Sequence, residues 1–318
     1  MKIAVMGAGA LGGYFGGRLA AAGHEVTLIA RGAHLAAIQR NGLRILSPKG
    51  DLHLQGIGAT DDPATVGPVD VILFMVKNYD LEHASQAIRP MLGRDTLVVT
   101  CQNGVSAPDR LAAAIGAARV VPGVVRMPAD IREPGVVRHS AEAEMFTFGE
   151  LDGRTSDRVT GLRDALVAAG VNAVIPDSIQ HDLWAKFIVQ ASLASITTLT
   201  RLDIGPLREH PATKQLFLDS IQEAEQVGRA VVPDLPAGLV ENSWAFLNKF
   251  PPTMHASMLD DLRRGKPLEI DYLGGDVVRL GAELGVATPI HAVFYSALLP
   301  FRDGAPAGAK GAGQMDKT

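Results

Sequence analysis

The chain has 318 residues, of which 47% are apolar and 20% are charged, and its formal net charge is −4. This length suits two domains of roughly 150 residues each, and the apolar content excludes global disorder. The slight excess of acidic residues argues against nucleic acid or an anionic membrane as the main partner.

The single cysteine and the first residues bear on the compartment. One cysteine, Cys101, excludes an intrachain disulfide and a metal site built from several cysteines. The start of the chain leads straight into a glycine-rich turn, without the basic and long apolar regions of a signal peptide. No apolar run reaches the roughly 18 residues of a membrane span. We therefore expect a cytoplasmic protein, in a compartment where thiols stay reduced.

The first half of the chain alternates short apolar runs with helical stretches. A helix with small residues on one face is predicted at residues 11–22. Two stretches, 43–58 and 136–148, have the pattern of hairpin or edge strands. Buried strands are predicted at residues 3–6, 26–29, 69–76, 97–100 and 120–125. Strands separated by helices predict βαβ units and a parallel sheet.

The second half is dominated by helical periodicity. The segment 175–178 is the candidate domain boundary, with Asp177 or Ser178 as the cap of the next helix. Helices are predicted at residues 183–199, 213–231, 239–248 and 270–284, with prolines between them. The predicted fold is therefore α/β. It comprises a Rossmann-type parallel-sheet domain over 1–176, an all-α domain over 177–302 and a disordered tail over 303–318.

A glycine-rich turn follows the first predicted strand and opens a helix, as a dinucleotide-binding motif requires. It matches G-x-G-x-x-G through Gly7, Ala8, Gly9, Ala10, Leu11 and Gly12. In this motif the first glycine allows the tight turn, the second lets the backbone approach a pyrophosphate, and the third lets the helix pack on the sheet. Free amides at the start of the helix favour anionic phosphates. The turn therefore predicts a bound dinucleotide.

The end of the second strand indicates which dinucleotide is bound. Sites that prefer NAD usually carry an acidic residue there, which bonds the ribose hydroxyl and repels a 2′-phosphate. Here the strand ends in Ala30 and Arg31, and a guanidinium matches a phosphate in charge and shape. We therefore expect NADP(H), although Arg31 is alternatively a plain surface arginine.

Polar residues follow two other predicted strands, at the edge where such sheets bind ligands. Lys77 is a candidate contact to cofactor phosphate or ribose. The Asn103 amide is a candidate contact to the nicotinamide ribose or to a substrate carbonyl. A solvated lysine and an Asn-Gly turn residue are the plain alternatives. We expect Cys101 to be a core residue. The spacing of the nine histidines matches no metal motif, so no metal is predicted.

These pieces together resemble the ketopantoate reductase (2-dehydropantoate 2-reductase) family, from Met1 to about Phe301. The resemblance rests on the order and spacing of several short motifs. They are G-A-G-A-L-G at 7–12, the strand ending at Arg31, V-K at 76–77, Q-N-G at 102–104, W-A-K at 184–186, S-M-L-D-D at 257–261 and P-L-E-I-D-Y at 267–272.

The resemblance implies a hydride transfer from NADPH to the ketone of a 2-oxo acid, ketopantoate, in the route to pantothenate. Lys186 matches the family's general acid, and Glu269 matches the glutamate that organises the site. Asn103 matches the asparagine beside the nicotinamide, Ser257 a serine that holds substrate, and Arg31 and Lys77 match cofactor contacts. The chemistry suits a lysine, because its ammonium stabilises the charge that hydride addition builds on oxygen and then donates a proton.

The chain departs from the family at two positions that bind substrate. The family carries asparagines four and eight residues after the lysine, on one helical face, where this chain has Gln190 and Ala194. Gln190 keeps an amide one methylene further out, whereas Ala194 offers no polar group. Replacement hydroxyls, or plain helix hydroxyls, are Ser192, Ser195, Thr197 and Thr198. We therefore expect a 2-oxo acid substrate that need not be ketopantoate.

Two other functions stay open from the sequence. An opine- or imine-type dehydrogenase of the same layout would need an amine pocket or a second carboxylate pocket, which the sequence does not identify. A non-catalytic NADPH-binding sensor would keep the glycine turn and Arg31 but would need neither Lys186 nor Glu269. The sequence is compatible with a monomer or a homodimer.

Overall fold

A computed structural model describes residues 1–306 of the chain. The chain forms two compact units. The first comprises Met1–Gln102 and Ala107–Asp182, and the second comprises Asn103–Ser106 and the residues from Leu183 onward. The predicted disordered tail, 303–318, falls mostly outside the described residues. Within them, the backbone of Arg302 and Ala305 bonds to the segment 265–268.

The elements follow one another in an alternating order and then become entirely helical. The strands are β1 (Lys2–Met6), β2 (Glu25–Ile29), β3 (Leu43–Leu46), β4 (Leu52–Leu54), β5 (Gly58–Thr60), β6 (Val69–Phe74), β7 (Leu92–Thr100), β8 (Val120–Arg126), β9 (Ala129–Glu133), β10 (Val136–His139), β11 (Met145–Phe148) and β12 (Ala173–Val174). The helices are α1 (Ala10–Ala21), α2 (Gly32–Asn41), α3 (Leu81–Ala87), α4 (Ala107–Ile115), α5 (Asp157–Ala168), α6 (Ile179–Thr200), α7 (Ile204–Glu209), α8 (Pro211–Val231), α9 (Leu239–Leu247), α10 (Ser257–Arg263), α11 (Gly274–Leu284) and α12 (Pro289–Leu298).

The main sheet of the first unit has the strand order β12-β11-β8-β7-β6-β1-β2-β5. Its strands pair in parallel, except that β11 runs antiparallel to β8. Central strands such as β1 are apolar on both faces because helices and a second sheet cover them, and Ala4 and Val5 are both fully buried. The five strands predicted as buried correspond to β1, β2, β6, β7 and β8, and the predicted α/β class is confirmed.

A second sheet has the order β4-β3-β10-β9. The β3–β4 and β9–β10 pairs are antiparallel, and β3 and β10 join them in parallel. The predicted hairpin stretch at 43–58 therefore forms as expected in its first part. The stretch at 136–148 is divided differently, because β10 joins this sheet whereas β11 joins the main one.

Helix α1 lies between the two sheets, and its small residues make this possible. A Cβ at Gly16 would lie 2.8 Å from Leu28 of the main sheet. On the other side, a Cβ at Gly13 would lie 2.9 Å from Val137, and one at Gly17 would lie 2.5 Å from Ile45 of the second sheet. Small residues therefore line two faces of α1 and not one, and each of these faces lets the helix backbone lie close to one of the sheets.

Helix α6 carries much of the second unit's core. The Ser178 hydroxyl accepts a bond from the His181 amide at 3.3 Å, so Ser178 is the cap that the sequence offered at this start. Trp184 and Phe187 are both buried and form an edge-to-face pair with ring centroids 5.3 Å apart. The helix ends before Arg201, which adopts a left-handed φ of 59°.

The helix predicted over 270–284 is interrupted in the structure. Residues Ile270–Tyr272 form a separate 3₁₀ turn, and α11 begins only at Gly274. Leu273 between them has φ −117° and ψ −97°, which no helix accommodates. The break sets the residues before it, including Glu269, apart from the helix that follows.

Candidate active site

The turn between β1 and α1 holds its three motif glycines in three different settings. Gly7 has φ 96°, and a Cβ there would lie 2.8 Å from the Val76 nitrogen, so only glycine fits. At Gly12 a Cβ would lie 2.2 Å from the Gly7 carbonyl oxygen. At Gly9 no atom of the described chain lies within 4 Å of an added Cβ. The backbone at Gly9 therefore faces open space, which a pyrophosphate can enter.

The amides of the turn divide into two groups. Those of Gly7 and Ala8 both donate to the Ile29 carbonyl, at 3.3 and 2.9 Å, and tie the turn to the end of β2. The first bond inside α1 is donated by Gly13. Helix geometry therefore leaves the amides of residues 10–12 to an outside acceptor, at the positive end of the helix dipole.

His34 on α2 holds the loop between β9 and β10. Its Nδ1 accepts a hydrogen bond from the Gly135 amide at 3.0 Å. Burial lowers the pKa of His34, and the nearby Ala8 backbone opposes this only in part. Since Nδ1 is the acceptor, the neutral ring carries its proton on Nε2.

Arg31 and Lys77 lie at the same edge of the main sheet as the glycine turn. The register places Met6 beside both Ile29 and Phe74, so the chain leaves β1, β2 and β6 at one level. The Arg31 side chain is 65% exposed, and its Nη2 lies 3.1 Å from Oδ2 of Asp80. Its guanidinium thus stands largely in solvent with the Asp80 carboxylate beside it.

Gln102 fixes the loops after β6 and β7. Its Nε2 donates to the carbonyls of Phe74 and Val76, at 2.9 and 3.1 Å, and its Oε1 accepts from the Thr100 hydroxyl. Gln102 is buried, so these bonds stay free of competition from water. Gln102 thereby fixes the first residues after β6, which lead to Lys77, and the first residues after β7, which lead to Asn103.

The second unit brings two of the predicted site residues into contact. The Lys186 ammonium on α6 donates to Oδ1 of Asn103 at 3.0 Å. Lys186 is half-buried, between the buried rings of Trp184 and Phe187 in sequence. An amide oxygen accepts from the ammonium without adding a charge, so it orients Lys186 without neutralising it.

The α6 face that begins at Lys186 continues into Gln190 and Ala194. Oε1 of Gln190 is buried and has no hydrogen-bond partner among the described residues, whereas Ala194 is packed in the core. The hydroxyls considered as replacements are fully buried, and that of Thr197 donates to the carbonyl of Leu193 on its own helix. Thr197 is thus a plain helix hydroxyl. The hydroxyls of Ser192, Ser195 and Thr198, like Oε1 of Gln190, are buried without a hydrogen-bond partner among the described residues, so they remain candidate replacements.

Glu269 is only 4% exposed and lies just before the 3₁₀ turn. A carboxylate this buried requires hydrogen-bonded or charged partners. The turn that follows it touches the segment carrying Asn103, because a Cβ at Gly104 would lie 2.4 Å from the Tyr272 carbonyl oxygen. Gly104 also has φ 92°, so glycine is required here on two grounds.

Ser257 is exposed at the first position of α10. The segment before it is held by His255, whose Nδ1 and Nε2 lie 2.8 and 3.2 Å from carboxylate oxygens of Asp203 and Asp260. The Ser257 hydroxyl is thus open to solvent, and His255 anchors the chain beside it.

Sequence reasoning missed Asp80, Gln102 and His255. The available signal for Gln102 was its place in the Q-N-G motif, directly after a predicted strand. Asp80 gave none, because its partner Arg31 is distant in sequence, and His255 gave none, because one of its two carboxylate neighbours, Asp203, is distant too. Among residues 1–306, no group of three or more His, Cys, Asp and Glu side chains is arranged to hold a metal ion. No described helix is long and apolar enough to span a membrane.

A surface cavity of about 440 Å³ lies away from all these residues. It is lined at the opposite edge of the main sheet by residues such as Met1, Asp70, Arg94 and Asp95. Ligands of such sheets bind at the carboxyl ends of the strands, so this cavity is not part of the candidate site.

Comparisons with known proteins cover both units. The family model described as ketopantoate reductase PanE/ApbA matches residues 3–153, and the model of its C-terminal part matches residues 178–301. A 2-dehydropantoate 2-reductase of Mesorhizobium japonicum is 34% identical over 310 residues, covering 91% of this chain and 94% of the relative.

Solved structures agree over the same extent. A PanE/ApbA family ketopantoate reductase from Ralstonia eutropha JMP134 superposes with a TM-score of 0.88 at 33% identity, covering 95% of this chain and 98% of that one. A ternary structure of D-mandelate dehydrogenase with NADH and anilino(oxo)acetate has a TM-score of 0.86 at 25% identity, with the same coverage of 95% and 98%.

Proposed function

Because the chain belongs to the ketopantoate reductase family, whose members are oxidoreductases acting on CH–OH groups, we propose that it reduces a 2-oxo acid to the 2-hydroxy acid with NADPH. The observation that carries this proposal is the 3.0 Å hydrogen bond from the Lys186 ammonium to Asn103. A half-buried ammonium oriented by a neutral amide is a proton donor suited to a ketone oxygen.

The first unit is proposed to bind the dinucleotide. The open backbone at Gly9 and the amides of residues 10–12 suit a pyrophosphate. Arg31 suits a 2′-phosphate because its guanidinium is exposed at the end of β2, and Lys77 adds a second cation at this edge. A nicotinamide dinucleotide bound here supplies the hydride for the ketone carbon.

The second unit is proposed to handle the proton. As hydride reaches the carbonyl carbon, negative charge grows on the ketone oxygen, and the Lys186 ammonium stabilises this charge and then donates a proton to it. Asn103 holds the ammonium through its carbonyl oxygen. We assign the buried carboxylate of Glu269 to positioning the groups of the site.

The substrate is proposed to be a 2-oxo acid other than ketopantoate. Gln190 offers an amide oxygen that is buried and unpartnered among the described residues, and Ala194 offers no polar group. When a site has no partner for a substrate hydroxyl, it prefers the substrate with that hydroxyl less strongly over a substrate without it. The similarity to D-mandelate dehydrogenase favours this choice, because that relative acts on a different hydroxy acid.

The test is turnover with a panel of purified 2-oxo acids, followed by the loss of nicotinamide absorbance with NADPH and with NADH. The panel holds ketopantoate, small aliphatic 2-oxo acids and aryl 2-oxo acids. We expect a 2-oxo acid other than ketopantoate to have the highest kcat/KM. Ketopantoate reduced far faster than the rest would refute the altered substrate, and no turnover of any 2-oxo acid would refute the reaction.

A pair of variants sharpens this test. Gln190→Asn restores one amide of the family pattern, and we expect kcat/KM for ketopantoate to rise relative to the other acids. Ser257→Ala serves as the comparison, because it removes a proposed substrate hydroxyl without changing the α6 face.

The sensor interpretation finds no support, since the relatives are named as reductases. No observation in either unit favours an opine- or imine-type reaction. The single buried thiol suits the cytoplasm that we propose.

A further inference from the structure

An acidic residue stands beside Arg31, although the end of β2 carries none. Asp80 reaches Arg31 from the loop after β6, with Oδ2 3.1 Å from Nη2. Because β1 lies between β2 and β6 in the sheet, this ion pair extends across the end of β1, where the glycine turn begins. The fold therefore supplies from another strand the carboxylate that sequence inspection of β2 does not find.

The Asp80 carboxylate is not engaged in capping its own helix. Asp80 occupies the N-cap position of α3, but its side chain makes no capping hydrogen bond. Its side chain is 36% exposed, so the charge meets solvent as well as Arg31. A carboxylate in this place acts on a dinucleotide ribose in two ways. It accepts a bond from a 2′-hydroxyl, and it repels a 2′-phosphate and competes with it for the guanidinium.

We propose that Asp80 is a specificity-determining residue, which opposes the preference for a 2′-phosphate that Arg31 confers. This inference rests on the proposed binding of a dinucleotide at the glycine turn. A cofactor with a 2′-phosphate must draw Arg31 away from Asp80 and then lie near that carboxylate. A cofactor with a 2′-hydroxyl leaves the pair intact. The balance between NADPH and NADH is therefore set by the pair and not by Arg31 alone.

The test measures binding of the cofactor's adenosine end, so it does not depend on turnover. Calorimetry at low ionic strength gives the Kd of 2′,5′-ADP and of 5′-AMP for the wild-type chain and for Asp80→Asn. Exposed ion pairs are worth up to about 1 kcal/mol, so we expect 2′,5′-ADP to bind up to about fivefold tighter to Asp80→Asn, and at least about twofold. We expect the Kd of 5′-AMP to be unchanged or higher, and the gain to shrink at high salt.

Glu82→Gln is the matched control. Glu82 lies two residues further along, in the first turn of α3, but its carboxylate pairs with Arg110 at 2.6 Å. It should change the Kd of 2′,5′-ADP by less than about twofold, since Arg110 and not Arg31 faces it. An equal gain in both variants would show a general effect of charge and overturn the role of Asp80.

Arg31→Gln separates the two levels of the proposal. If it weakens 2′,5′-ADP while Asp80→Asn leaves both Kd values at those of the wild type, the NADP assignment holds and the inference about Asp80 is wrong. If Arg31→Gln leaves the Kd of 2′,5′-ADP unchanged, the NADP assignment itself fails. Thermal melts of each variant confirm folding, and asparagine at a helix N-cap is not expected to disturb α3.

Discussion

Two glycines of the β1–α1 turn are expected to fail in opposite ways when alanine replaces them. At Gly12 the new methyl group would lie 2.2 Å from the Gly7 carbonyl oxygen and 2.9 Å from Val5 Cγ1. The nearer atom belongs to the backbone and cannot rotate away. At Gly9 the methyl group meets no atom of the described chain within 4 Å, and φ of −72° suits alanine. One substitution should therefore damage the fold and the other only the binding of cofactor.

The magnitudes follow from these contacts. Overpacking costs about 1–3 kcal/mol or more, and alanine regains up to about 1 kcal/mol of helix propensity, so Gly12→Ala should lose about 2 kcal/mol. That loss lowers Tm by roughly 4–8 °C in a protein of this size. Gly9→Ala should keep its stability within about 0.5 kcal/mol. Its Kd for NADPH should rise at least about tenfold, because the methyl group enters the space of the pyrophosphate.

The assay combines thermal unfolding with a titration of NADPH fluorescence. Gly161→Ala is the control, because this glycine lies inside α5 with no atom within 4 Å of an added Cβ. It should gain about 0.5–1 kcal/mol and bind NADPH normally. A Gly9→Ala variant with the wild-type Kd would refute the approach of the pyrophosphate at this residue. A Gly12→Ala variant with the wild-type Tm would refute the packing argument.

Two further predictions concern buried titratable groups. Glu223 accepts bonds from the amides of Ile290 and His291 and from His291 Nδ1, so Glu223→Ala should cost about 3–5 kcal/mol in urea unfolding. Glu225→Ala, which removes a half-buried i,i+4 pair with Arg229, should cost less than about 1 kcal/mol, and equal losses would contradict the assignment. The lowered pKa of His34 means that its contribution to stability is present above about pH 6.5 and is lost as pH falls through the lowered value. The wild type should therefore lose more stability than His34→Gln between neutral and acidic pH, and parallel losses would rule out this linkage.

Local pattern predicted the parts of the fold that short segments determine. A buried apolar run followed by spaced glycines fixed β1, the turn and the start of α1, because strand, turn and helix each need those residue types. The buried pair of Trp184 and Phe187 anchors the turn of α6 that carries Lys186. The family resemblance was confirmed, since it rested on motifs whose spacing survives divergence.

Contacts between distant segments were not predictable from the same patterns. The Asp80–Arg31 pair depends on β1 lying between β2 and β6, and strand order is not written in either strand. The division between β10 and β11 depends on pairing with strands distant in sequence, because β10 pairs with β3 and β11 pairs with β8. The break at Leu273 interrupts a segment with helical periodicity, because the turn after Glu269 packs on Gly104. Periodicity reports which faces are apolar and does not report such tertiary constraints.

The most direct test of the proposed chemistry is the turnover of Lys186→Ala alongside its Kd for NADPH. Lys214→Ala is the control, because Lys214 lies over the Trp244 ring in the same unit, outside the proposed site. We predict a fall in kcat of about 10²–10⁴-fold for Lys186→Ala, the range that loss of a general acid produces. The Kd for NADPH should stay within about twofold of the wild type, because Lys186 acts on the substrate and not on the turn that binds the dinucleotide. A Lys186→Ala enzyme that turns over at the wild-type rate would contradict the account.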